Sequence, residues 1–149
     1  MIKKILLFTL LYLSLIGCDY RPIYSNNSDY DFYIKTINQD GDDEINTLIR
    51  SKLKGYTNTD STKKFTINNI STYNKSSQSK NKSGNTDQYL LSLKVKFIIK
   101  SEKGEKEFTL NEKFIMSNFT NEFDEKNYER IIKDNMTKLI VDKLVIQLS

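Results

Sequence analysis

Six apolar residues at alternate positions, Tyr89, Leu91, Leu93, Val95, Phe97 and Ile99, constrain the fold of this chain more than any other feature. With a side-chain period of two they all project from one face of a strand, while Ser92, Lys94, Lys96 and Lys100 project from the other. Leu90 and Ile98 are the apolar exceptions on that second face. A strand greasy on one side and polar on the other belongs to an antiparallel sheet with one covered face. Other segments of the chain must therefore supply the cover.

Two segments have the spacing to do so. Ile45, Leu48, Ile49, Leu53 and Tyr56 recur at helical intervals behind a capping Asp42 or Asp43, and Gly55 stands where a stop is expected. The first helix is thus predicted from about Asp43 to Lys54. A second helix is predicted from Asp124, with a stripe of Tyr128, Ile131, Ile132, Met136, Leu139, Ile140 and Leu144. Val141, Val145, Ile146 and Leu148 widen that stripe, which suits core packing better than a membrane surface.

The remaining strands are shorter signals. Phe32, Ile34 and Thr36 alternate with Tyr33, Lys35 and Ile37 ahead of a turn at Asp40-Gly41-Asp42. Phe65, Ile67 and Tyr73 share one phase in a second strand. Asn74 to Asn85, which carries Lys75, Lys80 and Lys82, is polar and of low complexity and is expected to be a loop. After a turn at Gly104, Phe108 and Leu110 mark a fourth strand. Phe114, Ile115 and Met116 blur its alternation, as a bulge or cover on both sides would. The order β-α-β-β-β-α gives an α+β domain: a four-stranded, mostly antiparallel sheet with two helices packed on one face. The first two strands are joined through a helix, so they are either parallel neighbours or separated by another strand.

The N-terminus reads differently. Lys3 and Lys4 precede an apolar run, Ile5 to Ile16, which is shorter than the roughly 20 residues of a transmembrane helix. It ends in Leu15-Ile16-Gly17-Cys18, a lipobox-like sequence holding the only cysteine. Residues 1–17 are expected to be a lipoprotein signal peptide cut between Gly17 and Cys18. Cys18 would carry a covalent lipid, 18–31 would form a lipidated tether, and 32–149 the domain. Several acyl chains on one residue anchor firmly where a single chain does not.

Composition closes off several chemistries. The chain has no histidine and no tryptophan, so a histidine-based triad or metal site is excluded, and no cofactor is expected beyond the lipid on Cys18. With 23 basic and 19 acidic residues, two of the basic ones in the signal peptide, bulk charge gives no footprint for nucleic acid. No acidic pair stands in an apolar setting as glycan hydrolysis would require, so the chain is not expected to be an enzyme.

In order and spacing, several segments resemble the lipopolysaccharide-assembly lipoproteins, the LptE family, in its alphaproteobacterial form. They are GCDYRPIY, YIKTINQDGDDEINTLIRSKL, DQYLLSLKVKFIIK, and EKFIMSNF followed by YERIIKDNMTKLIVDKL. The resemblance covers nearly the whole mature chain and is weakest between Tyr56 and Thr86. It implies an outer-membrane lipoprotein on the periplasmic face that plugs and helps assemble the LptD β-barrel and assists lipopolysaccharide transport to the cell surface. The implied partners are that barrel, lipopolysaccharide, and the membrane through the N-terminal lipid. The alternative is a generic periplasm-facing inner-membrane lipoprotein with a small binding domain. Asp19, directly after the cysteine, resembles an inner-membrane retention signal and favours that alternative.

Two surfaces are candidates for these partners. Lys94, Lys96 and Lys100 form a row that suits lipopolysaccharide phosphates, although a solvated sheet face has the same pattern. Arg21 and Pro22 lie close to the anchor and are a candidate barrel contact. Arg21 is one of three arginines in a lysine-rich chain, with Arg50 and Arg130.

Overall fold

The computed structural model describes residues 32–56 and 59–149. Gly17, Cys18, Asp19, Arg21 and Pro22 lie outside the described residues, as do the expected signal peptide and tether. The elements are β1 (Tyr33–Gly41), α1 (Asp43–Leu53), β2 (Lys64–Lys80), β3 (Thr86–Ser101), β4 (Gly104–Ser117) and α2 (Glu122–Leu148), with a short 3-10 turn (Lys54–Tyr56) after α1. Among the described residues the four strands form one mixed sheet in chain order. β1 runs parallel to β2, and β2–β3–β4 is an antiparallel meander. Both helices cover the same face, and α1 serves as the crossover between the parallel pair.

The row at Tyr89–Ile99 builds the core as its period requires. Leu91, Leu93, Val95, Phe97 and Ile99 are all buried, against Ile67 of β2 and Met116 of β4. From above, α1 contributes Ile45, Ile49 and Leu53, and α2 contributes Ile132, Met136, Ile140, Val141, Leu144, Val145 and Leu148. Asp42 caps α1 by accepting from the Ile45 N–H at 2.9 Å. Asn121 caps α2 by accepting from Phe123, so this helix begins two residues before Asp124. Lys52–Asp134 at 2.7 Å and Lys133–Glu44 at 2.6 Å join the helices side by side.

The bulge or two-sided cover expected at Phe114–Met116 is not found, since the β3–β4 register is unbroken and Phe114 and Ile115 are exposed. Three further expectations change. First, β1 is not a simple alternation: its register with β2 slips between Ile34 and Thr36. The extra residue, Lys35, is a bulge that restores Ile37 to the phase of Phe32 and Ile34, so Ile34 pairs with Phe65 and Ile37 with Ile67. The expected turn at Asp40-Gly41 is instead the end of this strand.

Second, most of the expected loop at Asn74–Asn85 is strand. β2 continues to Lys80, paired to β3 from Asn74↔Ser92 to Lys80↔Thr86, and only residues 81–85 turn. In that turn the Asn81 side chain accepts from the N–H groups of Ser83 and Asn85, both at 3.0 Å. Polar side chains on both faces hide such a strand from periodicity, yet its backbone ladder is supplied by a strongly patterned neighbour.

Third, only part of the broad α2 stripe is covered. Tyr128, Ile131, Leu139 and Ile146 are exposed, at 40%, 52%, 50% and 71%, because the sheet lies under one side of the helix only.

Candidate functional site

The uncovered face of the sheet is where sequence reasoning placed a binding surface. Strand alternation puts Lys94, Lys96 and Lys100 there together, beside Asn68, Ile70 and Thr72 of β2. Glu105, Glu107, Thr109 and Asn111 of β4 lie on the other side. The lysines are not equivalent. Lys96 Nζ lies 2.8 Å from Glu107, and Lys100 Nζ lies 3.3 Å from Glu105. Lys94 sits opposite Asn111 and Thr72, is exposed, and has no ion-pair partner among the described residues. The row is therefore largely neutralised by its neighbours and offers one unengaged cation. The turn at Gly104 carried this information, since counting outward from it places Lys100 opposite Glu105 and Ile98 opposite Glu107.

Around the lysines the face is rich in neutral hydrogen-bonding groups. Asn38 donates to Asn68 across β1–β2 at 2.8 Å, and Ser79 donates to Gln88 across the hairpin at 3.2 Å. Ile70 and Ile115 add exposed apolar surface, at 45% and 53%. Such a face can make many weak polar contacts with a wall of similar character. The described residues include no cluster of three metal-ligating side chains.

Of the lysines expected in a loop, Lys75 does something else. It lies on the helix-covered face of β2 and donates to Glu125 at 2.6 Å and Glu129 at 2.8 Å, both on α2. Tyr73 donates to Glu129 at 2.8 Å, and the ammonium of Lys133 stands 4.5 Å from the Tyr73 ring centre. Burial alone would raise the Glu129 pKa, but hydrogen bonds from Lys75 and Tyr73 outweigh it and hold the carboxyl below 4.5. Burial opposes the charge of Lys75, and its two carboxylate partners overcome that, so its pKa stands above 10.5. Burial, then the bond to Glu129, pushes the Tyr73 phenol well above 10.0. This cluster clamps α2 onto the protruding half of the β2–β3 hairpin. Sequence reasoning missed it because the contacts span about fifty positions.

A buried polar group ties α1 to the sheet. Asn46 Oδ1 accepts from Asn69 Nδ2 and from Ser71 Oγ, both at 2.8 Å, and Asn46 Nδ2 donates to the Asp40 carbonyl at 3.1 Å. These residues fix the helix over the parallel pair and offer no access to a ligand.

Comparison with solved structures finds a similar fold in several bacterial lipoproteins. The chain is similar to rare lipoprotein B from Shewanella oneidensis (TM-score 0.55, 16% identity, 75% of this chain and 91% of that one). It is also similar to a minor lipoprotein from Acinetobacter baumannii (TM-score 0.54, 17% identity, 79% and 94%). A third is lipoprotein B from Nitrosomonas europaea (TM-score 0.51, 17% identity, 80% and 84%). At such identities the likeness is one of fold. No protein-family model matches the sequence, and no curated protein matches it.

Proposed function

We propose that this chain is a lipoprotein, anchored through Cys18, whose domain fills the lumen of an LptD-type outer-membrane β-barrel. There it helps the barrel assemble and assists lipopolysaccharide on its way to the cell surface. The observation that carries this reading is the domain's asymmetry: a dry core under one sheet face, and an opposite face of asparagine, serine, threonine and paired lysines left uncovered. The lumen wall of a wide barrel is polar and needs a filler with a hydrogen-bonding exterior. The shared fold with rare lipoprotein B adds support, as do the lipobox and the segment order of the LptE family. Lys94 is the candidate cation for lipopolysaccharide phosphate, and Arg21 and Pro22 are the candidate barrel contacts near the anchor.

The test is affinity purification of the tagged full-length chain from solubilised membranes. A large outer-membrane β-barrel in stable complex is the expected result, with the N-terminal peptide bearing the mass of an acylated Cys18. Asp19 favours the second reading, an inner-membrane lipoprotein. Recovery of the chain from inner membranes with no barrel would establish that reading and remove the first.

A further inference from the structure

The two ends of the domain differ in charge, and the end where the described chain begins is the basic one. Tyr33 pairs with Lys64, and Ser101 pairs with Gly104, so the start of β1, the start of β2 and the β3–β4 turn lie together. A cleft of about 640 Å³ opens there, bounded also by the last turn of α2 at Leu148. Its apolar lining includes Phe65, Phe108 and Leu148, and its rim includes Lys64, Lys103 and Lys106 against Glu102. These three lysines are exposed and have no ion-pair partner among the described residues. That sets them apart from Lys52, Lys75, Lys96, Lys100, Lys133 and Lys143, all of which are paired. At the opposite end, Asp42 and Asp43 at the start of α1 and Asp124 at the start of α2 outnumber Lys80 and Lys82 of the hairpin. Glu44, Glu122 and Glu125 there are paired with Lys133, Lys126 and Lys75, so that end carries no excess of free cations.

We propose that this basic end docks on the bilayer holding the anchor. Lys64, Lys103 and Lys106 would sit on the phosphates of anionic phospholipid headgroups, with the upper part of one acyl chain against Phe65 and Phe108. The inference rests on the lipid at Cys18 and concerns the anchored domain outside a barrel, since a barrel wall would separate this end from the headgroups. Chain order favours this end. Phe32, 14 positions after Cys18, leads into the sheet at this end, and β3 alone is about 50 Å long. The lysine rim therefore lies at the end of the sheet that follows the anchor in the chain, and the far end lies a strand's length away. Charge complementarity does the rest, as basic groups close to an anionic leaflet are attracted within a Debye length.

The test uses full-length protein purified from membranes, mixed with lipid nanodiscs of phosphatidylcholine alone or of equal parts phosphatidylcholine and phosphatidylglycerol. Hydrogen exchange is read across residues 62–65 and 101–106. Exchange there should slow roughly fivefold or more in the anionic discs only, the effect of one lysine or more on such a surface. Lys64→Glu, Lys103→Glu and Lys106→Glu together should abolish the slowing, and Lys103→Glu alone, in an exposed turn, should reduce it. Lys80→Glu with Lys82→Glu, at the far hairpin, should leave it intact. Equal slowing in neutral discs, slowing that survives the charge reversals, or the same protection from inorganic phosphate without lipid would each overturn the proposal. An N-terminal peptide without acyl mass would count against the anchor, while the comparison of the two disc types still decides the docking.

Discussion

Lys75 of β2 and Glu129 of α2 meet at 2.8 Å in a half-buried setting, and this contact holds the long helix to the part of the hairpin that β1 does not reach. Because Tyr73 and Lys75 both donate to Glu129, loss of its charge weakens two bonds at once, while Lys75 keeps Glu125 at 2.6 Å. Glu129→Gln should destabilise the domain by about 1–3 kcal/mol at neutral pH, measured by urea denaturation. The pH dependence has a definite sign. The folded pKa of Glu129 is depressed, so its contribution is present above 4.5 and is lost as pH falls through the folded value. Lys75 and Tyr73 are raised, so theirs is complete below about pH 10 and is lost as pH climbs through their folded values. Glu129→Gln should flatten the acid limb of the stability profile. An unchanged acid limb would show that other carboxylates dominate it.

Asn46 is the second place where one side chain serves several others. Asn46→Ala leaves the Asn69 amide without its acceptor in a buried site and the Ser71 hydroxyl with only the Asp42 carbonyl at 3.2 Å, at a cost of about 1–3 kcal/mol. Thr47→Ala, one position on and exposed, should change stability by no more than about 0.5 kcal/mol. Thermal denaturation of the two variants side by side checks the contrast.

The two glycines with similar backbone angles separate clash from strain. Gly41 has φ +93°, and a Cβ there would stand 1.9 Å from the Ser71 carbonyl oxygen. Gly84 has φ +83° but faces open space in the hairpin turn. Gly84→Ala should cost only the left-handed penalty, about 1–2 kcal/mol. Gly41→Ala must also push β1 from β2 and should cost more than about 4 kcal/mol, or prevent folding. Similar losses for both would mean that β1 yields easily at its end.

What could be read from the sequence followed from how strongly apolar residues repeat. The row from Tyr89 to Ile99 reported its burial directly, and so did Ile45, Ile49 and Leu53, because each has a single pattern with a single covered side. The second half of β2 gave no such signal: its serines, asparagines and lysines face water or ion pairs, and its order comes from a ladder to β3. Asn46, Asn69 and Ser71 look like surface residues in a chain this rich in asparagine and serine, yet all three are buried. The width of the α2 stripe was visible, but periodicity alone could not say that Ile131, Leu139 and Ile146 would fall on the side away from the sheet. For the candidate site, alternation put Lys94, Lys96 and Lys100 on one face, while their neutralisation by Glu105 and Glu107 depended on the register across the turn.

That neutralisation makes the lysine row testable in a way its sequence pattern was not. If the face meets lipopolysaccharide phosphate, Lys94 is the cation ready to engage it, whereas Lys96 and Lys100 must first leave their glutamates. Lys94→Gln should weaken binding of the full-length protein to purified lipopolysaccharide by about two- to fivefold, the scale of one exposed charge pair. Glu107→Gln should act in the opposite direction, since it releases Lys96 at a cost to the sheet of no more than about 1 kcal/mol. Both effects should shrink as salt is added, because the face is exposed to solvent. Titration with lipopolysaccharide at low and at physiological ionic strength reads all three expectations. Unchanged affinity in both variants would leave the row as a solvated face whose charges serve only to pair β3 with β4.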